Sequence, residues 1–295
     1  DMFLDEDKID VSLLMSYQTQ DEFGNYHIDK MSNIAKKRTM TTAIVAPADK
    51  TLFLGQTQAE KVANVVEQFG NKRSNVFSGQ FTAFNQYCVI LPSMKETNDI
   101  VSGKPITTTI IGDYARMVAT LDRGQYGIYK PVANTDRGTF NNQNKLYLIP
   151  NNEERELLAM NGINVFFYDE NNMPNPVKMS NLTGYIDDVD ILKKEHIRLT
   201  LNKIEKYIKL NIFPLYFKFI NSGLTSNLNY IITKRLDEIS GIGTIDYYAL
   251  SFVEGDNDLL NINISLRFAG VLERVVLNMN MYPSSFSVEE IVNAS

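Results

Sequence analysis

The sequence predicts an α/β domain followed by a smaller α+β domain. Three observations predict it. Apolar, strand-like runs alternate with helix-period segments from residue 9 to about residue 168. A Pro- and Asn-rich stretch, "ENNMPNPVKMSN" (170–181), then interrupts that rhythm. Beyond it lie two long helical patterns and a run of strict alternation, "LNINISLRF". The expected boundary follows the interruption, giving a domain of residues 1–185 and another of 186–295.

In order, "IDVSLLMSY" (9–17) reads as a short buried strand and "DEFGN" as a turn centred on Gly24. Residues 26–38 place Ile28, Met31, Ile34 and Ala35 at helical spacing. "TTAIVAP" (41–47) is a β-branched strand stopped by Pro47. "TQAEKVANVVEQFG" (57–70) carries Ala59, Val62, Val65, Val66 and Phe69 on one helical stripe, with Gly70 at its end. "NVFSGQFT" and "QYCVILP" are further strands. Strand, helix, strand, helix, strand is the rhythm of a parallel sheet with crossover helices.

"GDYARMVATLD" is helical through Tyr114, Met117, Val118 and Leu121, and "DRGQYGIYKP" breaks it. A polar loop leads to the short strand "KLYLIP". In "NNEERELLAMNGINVFFYD", Asn152 is the expected cap, Gly162 the stop and "INVFFYD" the next strand. In the C-terminal part, residues 190–213 predict a long helix with Ile197, Leu201, Ile204 and Ile208 inward. Over 193–209, Lys193, Lys194, Arg198, Lys203, Lys206 and Lys209 meet only Glu195 and Glu205, which makes a solvated face or a contact for an acidic partner. Residues 224–241 predict a second helix, with Leu224, Leu228, Ile231, Ile232 and Leu236 inward, and 243–253 a strand. In "LNINISLRF", Ile262, Ile264, Leu266 and Phe268 share one face. The phase flips at Ala269-Gly270, after which Val275, Leu277, Met279 and Met281 are apolar.

Composition narrows the function classes. The 295 residues are 44% hydrophobic, enough for a real core. A net charge of -6 argues against general nucleic-acid binding, and no apolar run approaches the ~18 residues of a membrane span. The lone Cys88 rules out an internal disulfide. Only His27 and His196 are present, each read as a surface or half-buried residue, so no metal site is expected. No G-x-S-x-G surrounds any serine. "SYQTQDEFGN" and "APADKTLFLG" stand where a phosphate-cradling loop would, and lack its glycines. No cofactor and no catalytic residue are therefore expected. The acidic start "DMFLDEDKID" reads as that of a trimmed fragment.

Three segments carry a family resemblance. "ATLDRGQYGIYKPVAN" runs Ala119, Leu121, Asp122, Gly127, Tyr129, Pro131, Ala133, Asn134; "AMNGINVFFYD" ends a helix before a strand; "NISLRFAGVLERVVLNMNM" sets Glu273 between alternating runs. Together they resemble the sheath protein of contractile phage tails and related injection machines. The resemblance implies a subtilisin-like α/β core without a working protease triad, and a smaller α+β C-terminal domain. It implies a subunit that polymerises helically around an inner tube. Terminal arms of neighbouring subunits would add strands to its C-terminal sheet. The lattice would contract to drive the tube through the host envelope, using neither nucleotide nor metal. The implied partners are the chain itself, the tube protein and the baseplate, with no nucleic acid and no membrane insertion. The implied place is the virion tail, assembled in the host cytoplasm. Strand pairing is expected along Ile262, Ile264, Leu266, Val275, Leu277 and Met279, and tube contact through Lys193, Lys194, Arg198, Lys203 and Lys206. The alternative is a hydrolase-like or nucleotide-binding α/β enzyme without recognisable motifs.

Overall fold

The computed structural model describes residues 2–5, 8–15, 23–46, 53, 57–70, 86–123, 130–140, 145–168, 176–184, 191–255 and 259–271, without the side chains of 2, 23–30, 68 and 70. Strands β1 (Leu13–Met15), β2 (Thr42–Val45) and β3 (Cys88–Ile90) form a parallel sheet in that order. Ala43 stands opposite Leu14 on one side and Cys88 on the other. Ile163 bridges Ile90 in parallel and continues the sheet by one residue pair. Helix α1 (Phe23–Arg38) links β1 to β2, and α2 (Gln58–Val65) lies between β2 and β3.

The near-continuous apolar runs follow from burial on both faces. Ala43, Val45, Cys88 and Ile90 pack with Ala35 of α1 and with Val62 and Val65 of α2. Their immediate neighbours Ile44, Val89 and Leu91 point the other way. There they meet Ile111, Tyr114, Met117 and Val118 of α3 (Ile111–Arg123). Each fully buried side chain of this size contributes about 1.5–3 kcal/mol. Thr57 caps α2 in a reciprocal capping box with Glu60, and the helix runs on as a wider turn to Gly70.

The expected turn at Gly24 falls inside α1, which already begins at Phe23. One glycine costs a helix only about 1 kcal/mol, so a helix can include it. Arg38 closes α1 and holds the N-terminal segment. The residue is 5% exposed, and its guanidinium donates to Phe3 O at 2.6 Å, Ile9 O at 2.7 Å and Thr41 Oγ1 at 3.0 Å.

An antiparallel sheet, ordered β5-β4-β6, follows β3: β4 (Met94–Asn98), β5 (Pro105–Thr109) and β6 (Lys145–Leu146). The β4–β5 hairpin was not expected. Its signal was the Asp99-to-Gly103 turn, where Asp99 accepts from Ser102 N and Gly103 takes φ +67°. One turn of helix, α4 (Asn134–Arg137), precedes β6. Helix α5 (Asn152–Met160) is capped by Asn151 rather than Asn152. The reason is local: Glu154 stands three residues after Asn151 and completes a capping box, whereas Asn152 would face Arg155. Strands β7 (Phe166–Phe167) and β8 (Val177–Lys178) pair antiparallel.

Helix α6 (Glu195–Ile212) starts after a 3-10 turn at Ile191–Lys193, and α7 (Ser222–Gly241) is capped by Asn221. Strands β9 (Ile245–Glu254) and β10 (Leu260–Phe268) form a two-stranded antiparallel ribbon. Ile204 of α6, Ile232, Leu236 and Ile239 of α7 and Ile245 of β9 make its core. Helix α6 serves two cores, because Leu199 packs beside Tyr114 and Val118 instead. The expected strand at "NVFSGQFT", residues 124–129 and the run 275–281 lie outside the described residues.

Candidate functional site

The β9–β10 ribbon has one face on the helices and one in solvent, as the alternation of its sequence dictates. Ile262, Ile264, Leu266 and Phe268 face inward with Tyr248, Leu250 and Phe252. Asn261, Asn263, Ser265 and Arg267 face out. Ile262 is opposite Phe252, Ile264 opposite Leu250 and Leu266 opposite Tyr248. Among the described residues, neither ribbon edge has a partner strand. An isolated two-stranded ribbon is marginal in water, so this one depends on α6 and α7 behind it. Val275, Leu277 and Met279 are outside the described residues, so the structure brings together only the first three of the six expected pairing residues.

Of the expected basic residues, Lys203 and Lys206 lie on α6 and Lys193 and Lys194 precede it. Lys203 Nζ lies 2.8 Å from Asp122 at the end of α3, and Lys206 pairs with Asp10 and reaches Ser12 Oγ at 3.2 Å. These two lysines line a cavity of about 180 Å³ together with Leu13, Val118 and Leu199. Lys193 and Lys194 are half-buried beside 182–183, where Lys193 O accepts from Thr183 N at 2.8 Å. Arg198 is 4% exposed. It stacks 4.8 Å from the Tyr87 ring and donates to Asn202 Oδ1 at 2.7 Å and Glu205 Oε1 at 2.8 Å.

A buried ionic cluster at the start of α6 was not foreseen. Lys178, Glu195 and Tyr114 are each wholly buried. Lys178 Nζ is 2.5 Å from Glu195 Oε2 and also donates to Ser180 O at 2.8 Å, while Tyr114 Oη donates to Glu195 Oε1. Burial pushes the Lys178 ammonium down, opposed by Glu195. Burial, then the Glu195 charge, pushes the Tyr114 phenol well up. No substrate reaches these atoms without opening the core, so the cluster ties α3, β8 and α6 together. The sequence hid it, because Glu195 sits among lysines and reads as their surface counter-ion. Next to it, His196 is 3% exposed, deeper than expected, and its Nδ1 shares a hydrogen bond with Asn181. Burial, then Lys194 and Lys178, lowers its pKa to about 4. Among the described residues no group of three or more His, Cys, Asp or Glu could hold a metal, and no helix is long and apolar enough to cross a membrane.

The "GIN" segment is a latch. Gly162 takes φ +62° to end α5, and Ile163 joins the parallel sheet. Asn164, wholly buried, donates to Ile90 O at 3.1 Å and Leu182 O at 2.9 Å and accepts from Leu182 N at 3.1 Å. Gly138 is a close-approach glycine: a Cβ there would lie 2.9 Å from both Ala133 Cα and Lys178 O. Both segments serve the packing of the core.

No family profile and no curated protein sequence matches the chain. Solved structures do. The helical sheath of the anti-feeding prophage in its contracted state superposes at TM-score 0.69 and 14% identity, over 94% of this chain and 72% of that one. The contracted sheath complex of PVC, an extracellular contractile injection system, gives TM-score 0.68 and 15% identity over 96% and 72%. A sheath tail protein from Listeria innocua gives 0.53 and 10% over 90% and 58%. At such identities the likeness is one of architecture, and the chain has the fold of contractile-sheath proteins.

Proposed function

We propose that the chain is a structural subunit of a contractile tail sheath, which polymerises helically around an inner tube and contracts to drive it through an envelope. The observation that carries this reading is the β9–β10 ribbon, set on a sheath-protein fold with no partner strand on either edge among the described residues. Unpaired strand backbone recruits another strand. Arms from neighbouring copies are the occupants we assign to it, along Ile262, Ile264 and Leu266 and along Val275, Leu277 and Met279. The parallel β1–β2–β3 layer with helices on both faces supports reading residues 1–185 as the subtilisin-like core and 186–295 as the smaller α+β domain.

We assign the tube contact to Lys193 and Lys194 just before α6 and to Lys203 and Lys206 on it, Arg198 bracing the helix from beneath. An acidic tube surface would compete with Asp122 and Asp10 for the two outer lysines. The baseplate is the further partner, and the tail of a phage-like particle assembled in the host cytoplasm is the place. The mechanical role asks for no catalytic residue or cofactor, since head-to-tail contacts that do not close generate an open helical polymer. Negative-stain microscopy of the full-length gene product tests the reading. Hollow helical tubes support it, and isolated particles at every concentration overturn it.

A further inference from the structure

The link between α6 and α7 exposes its aromatic residues. In "LNIFPLYFKFI", Leu215 alone is buried, at 9%, and anchors a 3-10 turn at Phe213–Leu215. Around it Leu210, Phe213, Tyr216, Phe217 and Phe219 stand in solvent, with Phe217 fully exposed and Phe219 at 89%. Phe213 and Tyr216 meet edge to face at 5.8 Å. Phe217 takes φ +64°, a left-handed conformation that a bulky side chain rarely adopts. Lys218 is exposed between Phe217 and Phe219. No acid occurs between Glu205 and Asp237, while Lys206, Lys209, Lys218, Lys234 and Arg235 do. Aromatic rings of this kind bury 150–250 Å² each, so the link offers roughly 600 Å² of apolar contact. That approaches the ~800 Å² per side of an ordinary stable interface.

The complementary surface is on the same chain. Helix α5 exposes Glu153, Glu156, Leu157 and Met160 at spacings i, i+3, i+4 and i+7, which is one stripe. Leu157 is 44% and Met160 73% exposed, two apolar side chains beside two carboxylates. The nearby Arg155 leaves that stripe acidic, because it turns to Asn151 O, Asn152 Oδ1 and the Phe167 ring.

We infer that the 210–219 link of one copy docks on the α5 stripe of a second copy. Phe217 and Phe219 cover Leu157 and Met160, and Lys218 lies between Glu153 and Glu156. The two patches differ, and where their contact does not close on itself it runs head to tail and propagates, as the helical-subunit reading requires. The inference rests on the helical-subunit reading and adds to it a lateral contact independent of strand exchange.

The test replaces Phe217 in the full-length chain by the photo-reactive p-benzoylphenylalanine and irradiates the protein alone, then with tube protein or with anionic vesicles. The same samples are viewed by negative stain. The expected product is a dimer of this chain whose cross-linked peptide contains residues 153–160. Glu153→Lys with Glu156→Lys should cut its yield about tenfold, and Lys218→Glu should restore it in that background. Tubes whose position 217 links only to tube protein, to lipid or to another part of this chain overturn the docking and leave the sheath reading standing. Absence of both tubes and dimers overturns both.

Discussion

Lys178 Nζ and Glu195 Oε2 lie 2.5 Å apart with neither side chain reaching solvent. The pair joins β8 to the first turn of α6, the helix that serves both the α/β core and the core behind the ribbon. On the proposed sheath reading, the pair lies where α6 connects the ribbon to the sheet.

Glu195→Gln leaves a buried ammonium without its counter-charge, and the expected cost is about 3–5 kcal/mol. Lys178→Met combined with Glu195→Leu removes both charges and should cost far less than the two single changes added together. Urea unfolding at constant m-value measures this. A Glu195→Gln midpoint equal to wild type would mean that the pair contributes nothing.

His196 predicts an acid-side loss of stability. Its folded pKa of about 4 lies below the ordinary ~6.5 of an unfolded histidine. Between those values the unfolded chain binds more protons. Stability is thus complete above about pH 6.5 and falls as pH drops toward 4, by on the order of 3 kcal/mol. His196→Gln should flatten that slope whatever its stability at pH 7.5. Melting curves from pH 7.5 to 4.5 that stay parallel for the two proteins would contradict this account.

Variants at Lys203 and Lys206 distinguish stability from the proposed tube contact. Their ion pairs with Asp122 and Asp10 are partly exposed, so Lys203→Glu with Lys206→Glu should cost no more than about 1 kcal/mol per pair. Affinity for the tube should fall and lose its salt dependence. Adding Asp122→Lys should return stability without returning affinity. Full recovery of affinity in that triple variant would assign the lysines a purely internal role.

Proline can block one ribbon edge. In an antiparallel strand successive N–H groups point alternately to the partner and outward. Of Asn263→Pro and Ile264→Pro, therefore, one removes an outward donor and spares the β9–β10 ladder. At least one of the two should keep the native circular dichroism and lose tube formation. Normal tubes from both would remove the β10 edge from the assembly. Met279→Pro should act in the same way in the run that follows.

The parts legible in the sequence were those with a strong period or a local stop signal. "LNINISLRF" became β10 to the residue, since period-two alternation fixes both strand and face. Of the stripe read at 59–69, Val62, Val65 and Phe69 are buried and Val66 is half-buried, while Ala59, in the first turn, is exposed. Gly162 ends α5 because the left-handed position there suits glycine. The parts that were hidden depend on contacts distant in sequence. Arg198 shares its pattern with the lysines around it, and its contacts with Tyr87, Asn202 and Glu205 take it out of solvent. Glu195 is placed by Lys178 and Tyr114, which no spacing rule connects. The β4–β5 hairpin lacks a strong apolar alternation, because Thr107 and Thr108 stand where apolar residues would mark a face. The aromatic link "NIFPLYFKFI" is an oily stretch of the sequence, and its exposure is visible only in three dimensions.

Hydrogen–deuterium exchange on the ribbon tests the central claim most directly. Backbone amides of 245–254 and 260–268 are compared in the dispersed chain and in the assembled full-length protein. The account predicts that the outward-pointing amides of at least one strand exchange far more slowly after assembly, because a segment from a neighbour pairs with them. Tubes in which both strands keep the exchange pattern of the dispersed chain would contradict it.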